Sequence, residues 1–196
     1  MTEKQADKLR QKTKKIKNAL AADKKFHGGY FDDSNGLRYL PPALYLKLGD
    51  YKGGLNYFRW FHKNFPDDIG YPDFLFEWTI ILFYSEKLKE AEKMAFRTFC
   101  ANTYIIDKFF GRPILPLNKY ESSNLESPDF TDHFLYHAGQ PELEGFTTWL
   151  GNLTQSEKFV QSSHKFIAIK KQLQTENDTE TRHFLIEQVH LLNESF

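Results

Sequence analysis

Cysteine occurs once in this chain of 196 residues, at Cys100. An intramolecular disulfide is therefore excluded, which suits a reducing compartment, and a cytoplasmic location is expected. Neither sign of charge is in excess, since 26 Lys and Arg stand against 26 Asp and Glu. A general nucleic-acid binder shows a basic excess, so that class is disfavoured for the chain as a whole. Long apolar runs are missing as well. The longest, "FLFEWTIILFY" from Phe74 to Tyr84, is too short to cross a bilayer and carries Glu77. The N-terminus has no apolar h-region, so no signal peptide is expected.

Catalytic fingerprints are absent too. The sequence contains no GxGxxG, no GxxxxGK[ST], no GxSxG and no HExxH. Asp129, His133 and His137 are spaced four apart, which on a helix would put two imidazoles and a carboxylate on one face. No CxxC and no third histidine supports them, so surface histidines are the expected reading. His183 and His190 lie two turns apart, too far to share one ion easily. Cys100, in "RTFCANT", occupies a place where a small buried residue is expected rather than a nucleophile. Asp67, Asp68 and Asp73 gather round a loop and read as solvated. Neither an enzyme nor a cofactor or metal is expected.

What is present is aromatic. Rings make up 16% of residues, 19 of them Phe. Mean hydropathy is only −0.59, so large rings must supply the burial. The charge is unevenly placed: residues 1–25 hold nine basic residues against Glu3, Asp7 and Asp23, which leaves +6 there and −6 elsewhere. An electrostatic fit between the two parts is the plain expectation. Within that segment Ala6, Leu9, Thr13, Ile16 and Leu20 recur every three or four residues, the narrow seam of a basic amphipathic helix. It would cap a helical stack or pair with a partner helix.

The stretch "LKLGDYKGGLNYFRWFHKNFPDD", Leu46 to Asp68, reads as a turn, a helix carrying Leu55, Phe58 and Phe61 on one side, and a stop at Pro66. Its echo is "ILFYSEKLKEAEKMAFRTFCANT". Setting Gly54 over Ala91 places Tyr45 over Leu82, Gly49 over Glu86, Tyr51 over Leu88, Phe58 over Ala95 and Pro66 over Thr103, an offset of 37 residues. Helix–turn–helix repeats have a period of roughly 34.

At these residues the chain resembles the tetratricopeptide repeats. Gly49 stands at that family's turn glycine, Tyr51 at the following aromatic, Gly54 at the small position, Phe58 at the second-helix aromatic and Pro66 at the closing proline. Ala91 keeps the small position in the second repeat. Two departures stand out: Pro41 and Pro42 oblige the first helix to start or kink there, and Glu86 replaces the turn glycine. "NGLRYLPP", "LGDY" and "FFGRP" also follow the order of bacterial repeat proteins distantly related to the suppression-of-tumorigenicity family.

The resemblance implies an all-α, right-handed solenoid of antiparallel helix hairpins over 35–105, with capping helices. It implies a concave groove lined by Tyr39, Ala43, Leu46 and Lys47 in the first repeat and by Asp73, Phe76, Ile80, Phe83 and Tyr84 in the second. Such a groove would take a peptide or a helix of a protein partner, unless the chain's own C-terminal helices fill it. Trp60 and Trp78 are expected to pack between helix layers.

Residues 106–127 read as a long connection, with two prolines and little periodicity. Beyond it, Ser127-Pro128 can start a helix through Gly139 and Pro141 another. A capping box from Thr154 to Glu157 would open a helix over 155–174, and Asn177 with Glu180 the last one. These helices, 128–196, are expected to pack on the repeats in a single compact domain of about eight helices. The expected function is a non-catalytic scaffold that binds a protein partner. The rivals are a dedicated inhibitor of one target, such as an immunity protein or antitoxin, and nucleic-acid contact through the basic N-terminal helix.

Overall fold

The computed structural model describes residues 1–196. It is all-helical, with nine α-helices, four short 3-10 turns and no strand. The chain divides into two compact units, Met1–Lys87 and Leu88–Phe196. The division falls inside the span 35–105 read as paired hairpins and splits the expected single domain.

In the N-terminal unit, α1 runs Glu3–Phe26 and opens with a capping box in which the Thr2 and Gln5 side chains each bond the other's backbone N–H. Its seam is buried at Ala6, Thr13, Ile16 and Leu20. Ile16 and Leu20 close on Leu44, with Leu9, Phe31, Leu37 and Trp60 packed around them. No lysine of this basic helix forms an ion pair. Arg10 pairs only with Glu3 and Asp7 of its own helix, so the expected electrostatic fit to the rest of the chain is not made through ion pairs.

After α1 the chain turns through Asn35-Gly36 into a 3-10 turn, Leu37–Tyr39, and α2 begins at Pro41 and ends at Leu48. Proline at the first helical position loses nothing, because that N–H is unpaired in any helix. The two prolines thus start α2 rather than kink it. Gly49 then adopts φ +64, its N–H bonds to the Leu46 carbonyl and the Asp50 N–H to the Tyr45 carbonyl. This is a Schellman turn, whose left-handed residue costs glycine nothing. The Asp50 side chain next caps α3, Tyr51–Asn64, by accepting from the Gly53 N–H at 2.8 Å.

Helix α4, Pro72–Tyr84, is apolar on all sides and buried from Phe74 to Glu77 and from Thr79 to Leu82. It lies close to α3, since a Cβ added at Gly54 would stand 2.7 Å from Ile81 Cδ1. Phe58 stacks on Trp78 with centroids 4.1 Å apart, and Phe74 meets Phe61 at 4.7 Å. Trp60 packs against Phe31, Tyr57 and Phe65. At the end of α4, Glu86 sits at φ +58, with its N–H on the Phe83 carbonyl and the Lys87 N–H on the Leu82 carbonyl. The Gly49 turn therefore recurs 37 residues later with the same bonds.

A buried ionic knot joins the two long loops of this unit. The Asp33 carboxylate, its side chain 1% exposed, accepts from the Leu37 and Arg38 amides and from Arg38 Nη1 at 2.9 Å. Arg38 Nε donates to Asp68 at 2.7 Å, and the Tyr39 hydroxyl donates to the same carboxylate. The guanidinium lies 4.4 Å from the Tyr39 centroid and 5.1 Å from that of Phe65. Tyr57 donates its hydroxyl proton to the Arg38 carbonyl at 2.6 Å.

The C-terminal unit contains α5 (Leu88–Ala101), α6 (Ile105–Phe109), α7 (Glu144–Gln155), α8 (Glu157–Thr175) and α9 (Thr179–Ser195). Phe96 and Phe99 of α5 pack edge-on to Phe159 of α8, and Ile169 and Leu173 of α8 meet Leu185 of α9. Helix α6, apart from Ile105, falls inside the stretch 106–127 expected as a connection. The rest of that stretch is pinned, not loose: the Asn102 side chain donates to the Leu125 and Ser127 carbonyls, and the Tyr120 N–H to the Lys170 carbonyl. Lys119, with a side chain 1% exposed, pairs with Glu121 at 3.0 Å, and Lys170 pairs with Glu126.

Three expected helix starts are corrected. Ser127-Pro128 yields only a 3-10 turn, Pro128–His133, before the chain extends at Phe134. The cap of α8 is Ser156, which accepts from the Phe159 N–H, while the Thr154 hydroxyl bonds back to the Gly151 carbonyl. The cap of α9 is Asp178, which accepts from Thr181.

Candidate partner-binding groove

Residues of α1 and α2 line an open groove of about 390 Å³ in the N-terminal unit. Arg10, Thr13, Lys14, Lys17 and Asn18 come from α1, Tyr45 and Leu48 from α2, and Asp50 from the turn that follows. Thr13 belongs to the buried seam and donates its hydroxyl to the Leu9 carbonyl at 3.0 Å, so its hydrogen bond is spent on its own helix. Tyr45 is 8% exposed, with its ring 6.1 Å from Tyr57. Burial, and then the nearby Asp50, push the Tyr45 phenol above its ordinary range, so it stays protonated as a donor.

The charges of the groove differ in how free they are. Arg10 is held at 2.7 Å by both Glu3 and Asp7. Asp50 is engaged as the cap of α3. Lys14 and Lys17 are exposed and form no ion pair. They stand three residues apart, neighbours on one helix face about 4.5 Å along the axis. The groove thus offers two uncompensated ammonium groups beside a tyrosine and a leucine.

The nine residues expected to line a concave groove are not brought together as one. Phe76 and Ile80 are 1% and 0% exposed, so they are core and cannot meet a partner. Burial follows from the all-round apolarity of α4. Asp73 is exposed at the start of that helix, and Phe83 and Tyr84 are partly exposed at its end, with Tyr84 stacked on Tyr51 at 4.6 Å. Buried turns separate these ends. Ala43 and Leu46 are partly exposed and Lys47 is exposed on α2. Tyr39 is locked in the ionic knot, its ring 4.4 Å from Tyr71, and burial with the Asp68 carboxylate drives its phenol well above the ordinary range.

The metal candidate loses its geometry. Asp129 and His133 lie on a 3-10 turn that ends before His137, so no single helix face carries all three. Elsewhere Asp23, His27 and Asp32 bring ligand atoms within 4.8 Å of one another. Both Asp23 carboxylate oxygens are in use there, one on the Asp32 and Asp33 amides and the other on His27 Nδ1. Cys100 is partly buried, and burial raises its thiol pKa far beyond the ordinary value despite Lys170 and Arg97 nearby. A thiol held protonated is a poor nucleophile. A second cavity of about 280 Å³, in the C-terminal unit, is lined by Phe99, Ile106, Phe159 and Ile167, with Arg112 at its edge tied to Asp107 at 3.2 Å.

The α1–α2 groove escaped the sequence reading because it depends on which helix α1 packs against. One signal was available: a polar Thr13 inside an apolar seam, with Lys14 and Lys17 beside it. Compared with family models, curated proteins and solved structures, the chain matches none.

Proposed function

We propose that this chain is a non-catalytic, tetratricopeptide-like scaffold that binds a protein partner in the cytoplasm, with the α1–α2 groove as its contact surface. The observation that carries the reading is the pairing of two free lysines with Tyr45 and Leu48 in an open groove between two helices. Specific interfaces join an apolar, aromatic centre to a charged rim in this manner. The repeat reading is supported by the Schellman turn recurring at a 37-residue offset and by burial of the small residues Gly54 and Ala91 at that same offset. No helix is long and apolar enough to cross a membrane. The lone Cys100 supports a reducing compartment.

Affinity capture from nuclease-treated lysate of the source cells tests this reading. The bait is the full chain, run beside Leu48→Arg, with the fold of each checked by circular dichroism. A protein retained by the wild type and lost by the folded variant is the expected result. Capture seen only in a parallel lysate without nuclease points to nucleic acid bound by α1 and overturns the reading. A partner held equally by both baits removes the groove from the account.

A further inference from the structure

We infer that the α1–α2 groove receives an acidic amphipathic helix of the partner. This inference rests on the reading just given and names the chemistry of what fills the same groove. Two observations and a general property of docking support a helix. Both walls are helices, the chain has no strand and hence no sheet edge on which an extended peptide could add hydrogen bonds, and helix-in-groove docking needs only side-chain contacts. The occupant's apolar face meets Leu48, with only the small exposed remainder of Tyr45 and Thr13, 8% and 6%, beside it.

Charge decides its flank. Among the cations lining the groove, Lys14 and Lys17 are the two without an ion pair. Glutamates or aspartates three or four residues apart on the incoming helix match their spacing. A phosphate backbone fits less well, because it would leave the half-buried Leu48 of the groove uncovered.

The test uses the full chain and three labelled probes in fluorescence anisotropy. The first is a helical peptide of ~18 residues with a leucine seam flanked by glutamates. The second has lysines in place of those glutamates, and the third is a DNA duplex of similar length. The acidic peptide should bind, and bind more weakly as salt rises from about 50 to about 200 mM. Lys14→Glu with Lys17→Glu should weaken it about tenfold and make the lysine peptide the better ligand. Both positions are exposed, so the variant keeps its fold, which circular dichroism checks.

Failure of the acidic peptide to bind, equal binding of the two peptides, or tighter binding of DNA overturns the inference. So does an acidic-peptide affinity that ignores the double substitution. A partner still captured from lysate in a Leu48-dependent way would then leave the scaffold reading standing with a different occupant. Loss of that capture as well would end both.

Discussion

Replacing Arg38 by Met should loosen the N-terminal unit more than any other single surface-reaching substitution. Arg38 is the only cation in a knot with two carboxylates, Asp33 at 1% side-chain exposure and Asp68 at 13%. Its removal leaves both anions without their counter-ion. Losing one partner of a buried pair costs about 3–5 kcal/mol. Two features place this case near the lower end. The Arg38 side chain is itself 21% exposed. Asp33 also keeps the Leu37 and Arg38 amides, and Asp68 keeps the Gly70 amide. A loss of about 3 kcal/mol is expected, a large share of the roughly 5–15 kcal/mol that holds a domain.

Urea unfolding followed by tryptophan fluorescence reads this loss. Trp60 and Trp78 report the N-terminal unit once Trp149 is changed to Phe. With a slope of about 2 kcal/mol/M the midpoint should fall by about 1.5 M. Adding Asp33→Asn to Arg38→Met should return part of the loss, because the stranded charge is gone. A shift of less than about 0.5 M, or no return in the double variant, would refute the view that the knot is a desolvated network rather than a screened surface pair.

Three further outcomes follow from the packing. Gly54→Ala should destabilise by about 1–3 kcal/mol although alanine is the better helix former, because the new methyl collides with Ile81; Ile81→Val should recover part of it in the same urea assay. Ser156→Ala should cost about 1 kcal/mol, as for a lost helix cap, while Thr154→Ala should cost almost nothing; thermal melts of the two variants separate the observed cap from the expected one. Burial raises the Tyr57 phenol well above its ordinary value of about 10, so the folded chain holds a proton that the unfolded chain releases. Its stabilising contribution is complete below pH ~10 and is lost as pH rises, by up to about 1.4 kcal/mol per pH unit; a stability profile that is flat from pH 9 to above 11, or unchanged in slope by Tyr57→Phe, contradicts this.

Local signals in the chain were readable and long-range ones were not. The seam from Ala6 to Leu20, the start at Pro41, the Gly49 turn and the stop after Asn64 each rest on a few neighbouring residues, and each stands where its chemistry puts it. Glu86 takes the left-handed turn that glycine would take, held by bonds reaching back to Leu82 and Phe83 rather than by its own preference. The expected helix after Pro128 failed because the backbone there is committed elsewhere: Asn102, far back in sequence, holds the Leu125 and Ser127 carbonyls. The repeat resemblance puts Phe76 and Ile80 in a groove, yet the largely apolar run around them argues for burial. The α1–α2 groove needs Lys14 and Leu48 brought side by side, a pairing that no periodicity within either helix encodes.

Photocross-linking from position 48 tests the central claim most directly. A photoreactive residue replaces Leu48 in the groove, and in a control chain it replaces Val160 on α8, 36% exposed and outside the N-terminal unit. The account predicts a protein adduct from position 48 in the source cells, diminished by Lys14→Glu with Lys17→Glu and absent from position 160. No adduct from position 48, or the same adduct from both positions, contradicts it.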